Sequence, residues 1–188
     1  MINTIKNEFN EHLKAVKLLH NLTDNVAAST KICIDSLKEG GKILLFGNGG
    51  SAADAQHIAA ELIGRFKMNR KGLPAIALTT DTSTLTSIGN DFGYSHIFDR
   101  QVEALATNKD VVIGLSTSGN SENVINGLRM ASKLQCKTIG LTGKDGGEMN
   151  EICDINLCVP SIDTPRIQEM HIIIGHTICH IIDQKFSG

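Results

Sequence analysis

The chain has 188 residues with a formal net charge of -2 at pH 7, and 41% of its residues are hydrophobic. This length favours a single domain over residues 1–188 with a core of its own. The slightly acidic balance offers no positive field for nucleic acid, and no long uncharged apolar stretch predicts a membrane span. The segment 1–8 carries charges too early for the apolar part of a signal peptide, so a cytoplasmic protein is expected.

Two helices are predicted at the N-terminus. Apolar residues recur every three or four positions over 2–19, which is the period of an amphipathic helix. The pattern returns over 26–37 after the break Thr23-Asp24-Asn25, and Gly40-Gly41 ends it. We expect the apolar faces of the helices in residues 1–39 to serve in oligomerisation.

Strands and helices alternate over the rest of the chain. Short apolar runs rich in branched residues predict five buried strands at 42–46, 75–79, 110–115, 137–141 and 155–159. Helical patterns lie near 52–63, 83–89 and 121–135, and a shorter Gly-rich link joins the fourth and fifth strands. This alternation predicts an α/β fold with a doubly wound, five-stranded parallel sheet. The strand order that we assume for it is the flavodoxin-like order 2-1-3-4-5.

Polar loops follow the first and third predicted strands. They are Gly47-Asn48-Gly49-Gly50-Ser51 and Ser116-Thr117-Ser118-Gly119-Asn120-Ser121, and each opens a helical pattern. In the predicted order both loops face the crevice between neighbouring strands, where ligands of such sheets bind. A helix N-terminus with glycine and hydroxyl side chains suits an anion, so we interpret the second loop as a phosphate site. Ordinary turn chemistry is the alternative for either loop taken alone.

Two helices carry residue types suited to acid–base chemistry or metal binding. His57 and Glu61 are four residues apart after the first loop and share a helix face, with Arg65 one turn further. Gln168 and His176 lie on one broad side of the final helix. A His-x-x-x-Glu pair is also common as a plain surface interaction. The basic run 65–71 is typical of a solvated turn, although Arg65 could attract a phosphate.

The apolar pattern of the final helix predicts that the helix is covered on more than one side. Thr164 is the expected N-cap with Pro165 at the first helical position, and apolar side chains then occur almost all round the circumference. This pattern favours packing between subunits. His171 and His180 in the same helix are expected to be structural.

The cysteines predict neither a disulfide framework nor a metal site. They are odd in number and lack a paired metal spacing, so we expect small buried thiols at Cys33, Cys136, Cys153, Cys158 and Cys179.

Taken together, the motifs resemble a known family. Residues 116–121 are similar to the signature of sugar isomerase (SIS) domains, which bind phosphosugars. The resemblance is narrowed to the phosphoheptose isomerases by residues 47–51, 89–94 and 141–147. It extends over nearly the whole chain. It implies a homotetrameric aldose–ketose isomerase that converts sedoheptulose 7-phosphate to D-glycero-D-manno-heptose 7-phosphate, the first step toward ADP- or GDP-heptose for lipopolysaccharide or capsule. A non-catalytic SIS protein that binds a phosphosugar or a replication-initiator protein is the alternative.

The resemblance also implies roles for individual residues. Zinc, one ion per subunit, is held by His57, Glu61, Gln168 and His176, while Glu61 and His176 form the acid/base pair. The implied substrate contacts are Asn48, Gly49, Gly50, Ser51, Glu61, Asn90, Asp91, Ser116, Thr117, Ser118, Ser121 and Gln168. Because all four zinc positions are retained, catalysis is favoured over the alternative.

Helix geometry adds a condition to this implied zinc site. Gln168 and His176 are separated by about 12 Å along one helix, whereas ligands of one zinc ion lie about 2 Å from it. One straight helix cannot supply both residues to one ion. We therefore predict a composite site at a subunit interface, with one of the two ligands from a neighbouring chain.

Overall fold

Parallel strands form a single sheet in the computed structural model, which describes residues 1–187. The strands are β1 (Ile43–Gly47), β2 (Ala75–Ala77), β3 (Val111–Leu115), β4 (Lys137–Thr142) and β5 (Ile155–Cys158). Their order is β2-β1-β3-β4-β5, which confirms the predicted doubly wound α/β architecture and its strand order. Since β1 and β3 pair directly, the loops that follow them leave the same edge of the sheet side by side.

Helices cover both faces of the sheet. They are α1 (Ile2–Leu18), α2 (Thr23–Lys38), α3 (Gly50–Ile63), α4 (Thr82–Asp91), α5 (Asp99–Leu105), α6 (Glu122–Lys133), α7 (Met149–Ile152) and α8 (Thr164–Phe186), with 3-10 turns at Leu19–Leu22 and Tyr94–His96. Within residues 1–187, no helix combines the length and the apolar character needed to cross a bilayer.

The alternating side chains of β1 divide the core into two clusters. Ile43 and Leu45 belong to the cluster that includes side chains of α2, α3 and α8. Leu44 and Phe46 belong to the cluster on the opposite face, which includes side chains of α5 and α6. As a result α3 and α8 lie on the same face of the sheet, and these two helices carry the predicted metal ligands.

Some boundaries differ from the prediction. The N-terminal break lies earlier than expected, because the 3-10 turn Leu19–Leu22 leads directly into α2 at Thr23. The N-cap of α8 is Asp163 rather than Thr164. Helix α5 was not predicted, since it buries only Gln101 and Val102 and shows too little apolar periodicity to be recognised.

The cysteines are free thiols, as expected, although two of them are only half-buried. Cys33, Cys136 and Cys179 are buried, whereas Cys153 and Cys158 are partly exposed. Burial raises the pKa of Cys33, Cys153 and Cys179 to about 12, and that of Cys136 to about 11. These four thiols therefore stay protonated at neutral pH and are poor nucleophiles.

His171 is a buried histidine of α8 that contacts the end of β4. Its Nε2–H donates to the Thr142 carbonyl at 3.0 Å, while its buried Nδ1 has no partner within residues 1–187. Burial lowers the pKa of His171 to about 4. The side chain is thus neutral at physiological pH, in keeping with a structural role.

We expect His171 to make the fold less stable as the pH falls from 7 to 5. The unfolded chain binds a proton at this residue near pH 6.5 and the folded protein only near pH 4, so protonation favours unfolding in between. We expect this residue to lower the free energy of unfolding by about 2 kcal/mol between pH 7 and pH 5. Urea unfolding at both pH values would measure this change. The His171→Leu variant should lack this contribution, and Val159 N still donates to the Thr142 carbonyl at 2.9 Å. An equal pH dependence in the variant contradicts the assignment.

Candidate active site

Two asparagine side chains join the loops that follow β1 and β3. The Asn48 amide donates to Asn123 Oδ1 at 2.8 Å, and the Asn123 amide donates back to Asn48 Oδ1 at 2.9 Å. The Tyr94 hydroxyl donates to the same Asn48 oxygen at 3.1 Å. A cavity of about 340 Å³ opens here, lined by these three residues together with Ser121. The two loops therefore share one crevice, at the position that the strand order predicts.

The loop over residues 116–121 gathers hydroxyl groups at the N-terminus of α6. Ser116 Oγ lies 2.8 Å from Ser121 Oγ and 3.4 Å from Ser118 Oγ. Gly119 has a φ of 68°, and a Cβ there would lie 2.0 Å from the Gly146 carbonyl oxygen, so glycine is required for this loop packing. Ser121 is the N-cap of α6, but its side chain does not bond to the helix N–H groups. Those N–H groups and the hydroxyls together suit a phosphate.

The side chain of Gln168 covers the N-terminus of α3. A Cβ on Gly50 would lie 2.7 Å from the Gln168 amide atoms, so the absence of a side chain at residue 50 admits this contact. Gly49, the N-cap of α3, has a φ of 56°, and Ser51 is buried at the start of the helix. Gln168 thus lies beside the loop over residues 47–51.

A second cluster of polar side chains lies about two turns further along α3. His57 Nε2 is 3.0 Å from His176 Nε2 and 3.2 Å from Glu61 Oε1. The three residues offer ligand atoms that all lie within 4.8 Å of one another. Two imidazoles and a carboxylate form a donor set of the kind that binds zinc, and these separations suit atoms that each lie about 2 Å from one ion. The cluster could therefore hold a divalent metal.

Within one chain, α8 brings His176 but not Gln168 to this cluster. His176 contacts His57, whereas Gln168 contacts Gly50 at the beginning of α3. Helices α3 and α8 therefore run side by side in the same direction, with Gln168 near the start of α3 and His176 about two turns further along it. This placement agrees with the geometric condition derived from the helix rise, and it leaves His176 as the residue that joins His57 and Glu61 in the same chain.

The remaining predicted site residues lie nearer the surface. Asn90 and Asp91 are exposed at the end of α4, where the Asn90 amide donates to Asp91 Oδ1 at 2.8 Å. Neither side chain hydrogen-bonds to the two crevice loops within residues 1–187. Thr117 is half-buried in the second loop, and His180 is half-buried beside Phe66, with 6.1 Å between the ring centroids. Arg65 is exposed in the turn that follows α3.

The interpretation of the basic run as a solvated turn is wrong for Arg70. Its Nε donates to Asp183 Oδ1 of α8 at 2.5 Å, and both side chains are fully buried. The partner lies 113 residues further along the chain, so local charge pattern gives no sign of the pairing. Arg70 belongs to the packing of α8 against the turn after α3.

Asp54 and Asn123 belong to the site region but were not predicted. Asp54 lies on the α3 face between Gly50 and His57, and its buried Oδ2 has no partner within residues 1–187. Burial raises the pKa of Asp54, and nearby His57 opposes this only in part. Its spacing of four residues from Gly50 and three from His57 was the signal that could have identified it. The role of Asn123 depends on Asn48, 75 residues away, so only the folded structure reveals it.

Comparison with known proteins identifies the family to which the chain belongs. Residues 7–143 match the model of the SIS domain family. A phosphoheptose isomerase from Aliarcobacter butzleri is 63% identical over 188 residues, with 100% of each chain covered. Two solved phosphoheptose isomerases are also similar, one from Neisseria gonorrhoeae (44% identity, TM-score 0.92) and one from Francisella tularensis (40% identity, TM-score 0.94). Each match covers 97% of this chain and 98% of the solved chain. With this identity over its full length, the chain belongs to the phosphoheptose isomerase family of SIS-domain proteins and is an isomerase.

Proposed function

We propose that this isomerase interconverts sedoheptulose 7-phosphate and D-glycero-D-manno-heptose 7-phosphate, in the cytoplasm, as the first step toward a nucleotide-linked heptose. The observation that carries the proposal is the convergence of His57 and Glu61 of α3 with His176 of α8. Helix α3 begins at the loop over residues 47–51, which shares one crevice with the hydroxyl-lined loop. The free thiols of the chain support the location, because disulfides are rare in the reducing cytoplasm.

The reaction moves a proton between adjacent carbons through an enediol. It needs a base at carbon, a carrier that moves a proton between the two oxygens, and stabilisation of the developing negative charge. We assign the first role to Glu61 and the second to His176. Glu61 Oε1 lies 3.2 Å from His57 Nε2, and we assign the substrate proton to the other oxygen of this carboxylate.

The crevice loops would bind the two ends of the sugar differently. Ser116, Thr117, Ser118 and Ser121 would donate to the phosphate oxygens, together with the N–H groups at the start of α6. Asn48, Gly49, Gly50 and Ser51, with Asn90, Asp91 and Gln168, would contact the sugar. Asn48 suits this role because Asn123 and Tyr94 fix its orientation, while one of its amide hydrogens has no partner among the described residues 1–187.

We propose zinc as the metal, one ion per subunit, held by His57, Glu61 and His176. An ion there would polarise the carbonyl and stabilise negative charge on the reacting oxygens. The site carried by one chain supplies three ligands, which is the number that catalytic zinc sites commonly take from protein.

Gln168 completes the site, in our proposal, from a second subunit of a homotetramer. In its own chain it contacts Gly50, so it reaches a His57–Glu61–His176 cluster only across an interface. Exposed apolar side chains on α1, among them Phe9 and Leu13, support such packing. So does an apolar groove of about 400 Å³ between α1, α2 and α8, lined in part by Val16, Val26 and Ile173.

Turnover of sedoheptulose 7-phosphate tests the proposed reaction directly. We expect NMR to detect the aldose product with the zinc-loaded protein, to lose it after chelation, and to recover it when zinc is restored. The absence of turnover in the zinc-containing buffer contradicts the proposal and favours a non-catalytic phosphosugar- or protein-binding role.

Mixed oligomers test the composite site. Gln168→Ala and His176→Ala chains should each be strongly impaired alone, because each lacks one component of every site. Chains unfolded together and refolded should regain about a quarter of the wild-type activity, since one arrangement in four pairs an intact His176 with an intact Gln168 from the neighbour. Separately refolded chains, mixed afterwards without exchange, are the control. A mixture that regains nothing argues for a site built from one chain.

A further inference from the structure

The proposed metal cluster depends on the relative position of two helices. His57 and Glu61 lie on α3 and His176 lies on α8, and the two imidazole nitrogens are only 3.0 Å apart. A slide of one helix along the other by a single residue, about 1.5 Å, would separate these ligands. Contacts that resist such a slide therefore help to set the geometry of the cluster.

Arg70 provides such a contact from the segment that follows α3. Its Nη2 donates to the Glu61 carbonyl at 2.9 Å and its Nη1 to the Leu62 carbonyl at 2.8 Å, so the guanidinium binds carbonyl oxygens of the last turn of α3. Its Nε donates to Asp183 of α8 at 2.5 Å. One fully buried guanidinium thus binds the backbone of one ligand-bearing helix and a carboxylate of the other.

Asp183 holds a second element against the same cluster. Its Oδ2 accepts hydrogen bonds from Lys67 N at 2.6 Å and Met68 N at 2.8 Å. These contacts fix the turn that carries Phe66, whose ring centroid lies 5.3 Å from that of His176 at an interplanar angle of 28°. The ring covers one side of the imidazole and limits its rotation.

We infer that Arg70, Asp183 and Phe66 form a positioning unit that holds His176 in ligand geometry opposite His57 and Glu61. The inference rests on the proposed metal site and adds the residues that set its geometry. None of the three offers a ligand atom to the cluster, so they act through the groups they hold. Outer residues that orient metal ligands commonly contribute 10- to 100-fold to metal affinity.

The test compares Asp183→Asn and Phe66→Leu with the wild-type protein and with Asp110→Asn. Asp110 is a matched control because it is also a buried carboxylate that accepts from a cation, Lys42, and from two backbone N–H groups, but these partners lie just before β1 and β3 and belong to neither α3 nor α8. Zinc affinity of the metal-stripped proteins is measured by competition with a chromophoric chelator. Crystal structures give the distance between the Nε2 atoms of His57 and His176.

We expect both test variants to bind zinc at least about 10-fold more weakly than wild type, with a longer His57–His176 distance, and Asp110→Asn to bind within about twofold. Unchanged affinity and distance in the test variants overturn the inference. An equal loss in Asp110→Asn also overturns it, because general destabilisation then accounts for the effect. If Asp183→Asn does not fold, Phe66→Leu decides. If wild type binds no zinc, the proposed metal site fails, and the distance in the variants alone decides the positioning role.

Discussion

The Glu61→Gln variant is expected to isomerise sedoheptulose 7-phosphate about 10³-fold more slowly than the wild-type protein. The carboxamide keeps the shape of the side chain but cannot accept a proton from carbon at neutral pH. Glu61 is half-buried, and its Oε1 lies 3.2 Å from His57 Nε2, so the substitution removes charge from the centre of the cluster. The measurement is kcat at saturating substrate, followed by NMR of the aldose product.

Metal loss is the competing explanation for a slow Glu61→Gln variant. Assays at saturating zinc, with the metal content of the protein determined in parallel, separate a missing base from a missing ion. Glu103→Gln is the control, because Glu103 is an exposed helical glutamate that pairs with Arg100 at 2.9 Å, outside the cluster. Its activity should stay within about twofold of wild type, as for most surface substitutions. A zinc-loaded Glu61→Gln variant that keeps a tenth of the activity excludes Glu61 as the base.

The sheet could be predicted because its central strands are buried on both faces and so appear as continuous apolar runs between helical patterns. β1 and β3 are fully buried. The strand order did not follow from the alternation, which other doubly wound orders share, and the flavodoxin-like order was a hypothesis that the sheet confirms. Short elements were less visible. The helix Asp99–Leu105 and the four-residue helix Met149–Ile152 bury too few side chains to show a helical period.

Some residues of the candidate site could be predicted from local sequence patterns, whereas others depend on partners far away in the chain. The pair His57 and Glu61 follows from a spacing of four residues, and the phosphate-type loop follows from its own composition. The burial of Arg70 against Asp183 was invisible, because it depends on a partner more than a hundred residues away. A charged residue is expected to be exposed to solvent, and only the folded structure reveals a distant partner with which it is buried.

Loss of the Asp183 carboxylate is expected to destabilise the fold strongly. Asp183→Asn leaves the Arg70 guanidinium buried without a counter-charge and weakens the bonds from Lys67 N and Met68 N. Removing one partner of a buried pair typically lowers the free energy of unfolding by about 3–5 kcal/mol. Urea unfolding at pH 7 measures the change, and a loss below about 1 kcal/mol contradicts a buried, paired charge.

The same carboxylate should contribute to the acid sensitivity of the fold. Burial acts to raise the pKa of Asp183, but the N–H groups of Met68 and Lys67 and the Arg70 guanidinium outweigh it and hold the pKa below its usual value. The carboxylate therefore stabilises the folded state above about pH 4, and this contribution is lost as the pH falls further, because the unfolded chain then binds the proton first. Between pH 4 and pH 2 the unfolding free energy of Asp183→Asn should decline less steeply than that of wild type. Parallel slopes in this range would mean that Asp183 titrates alike in both states, and the buried ion pair would then not be what fixes α8 to the turn after α3.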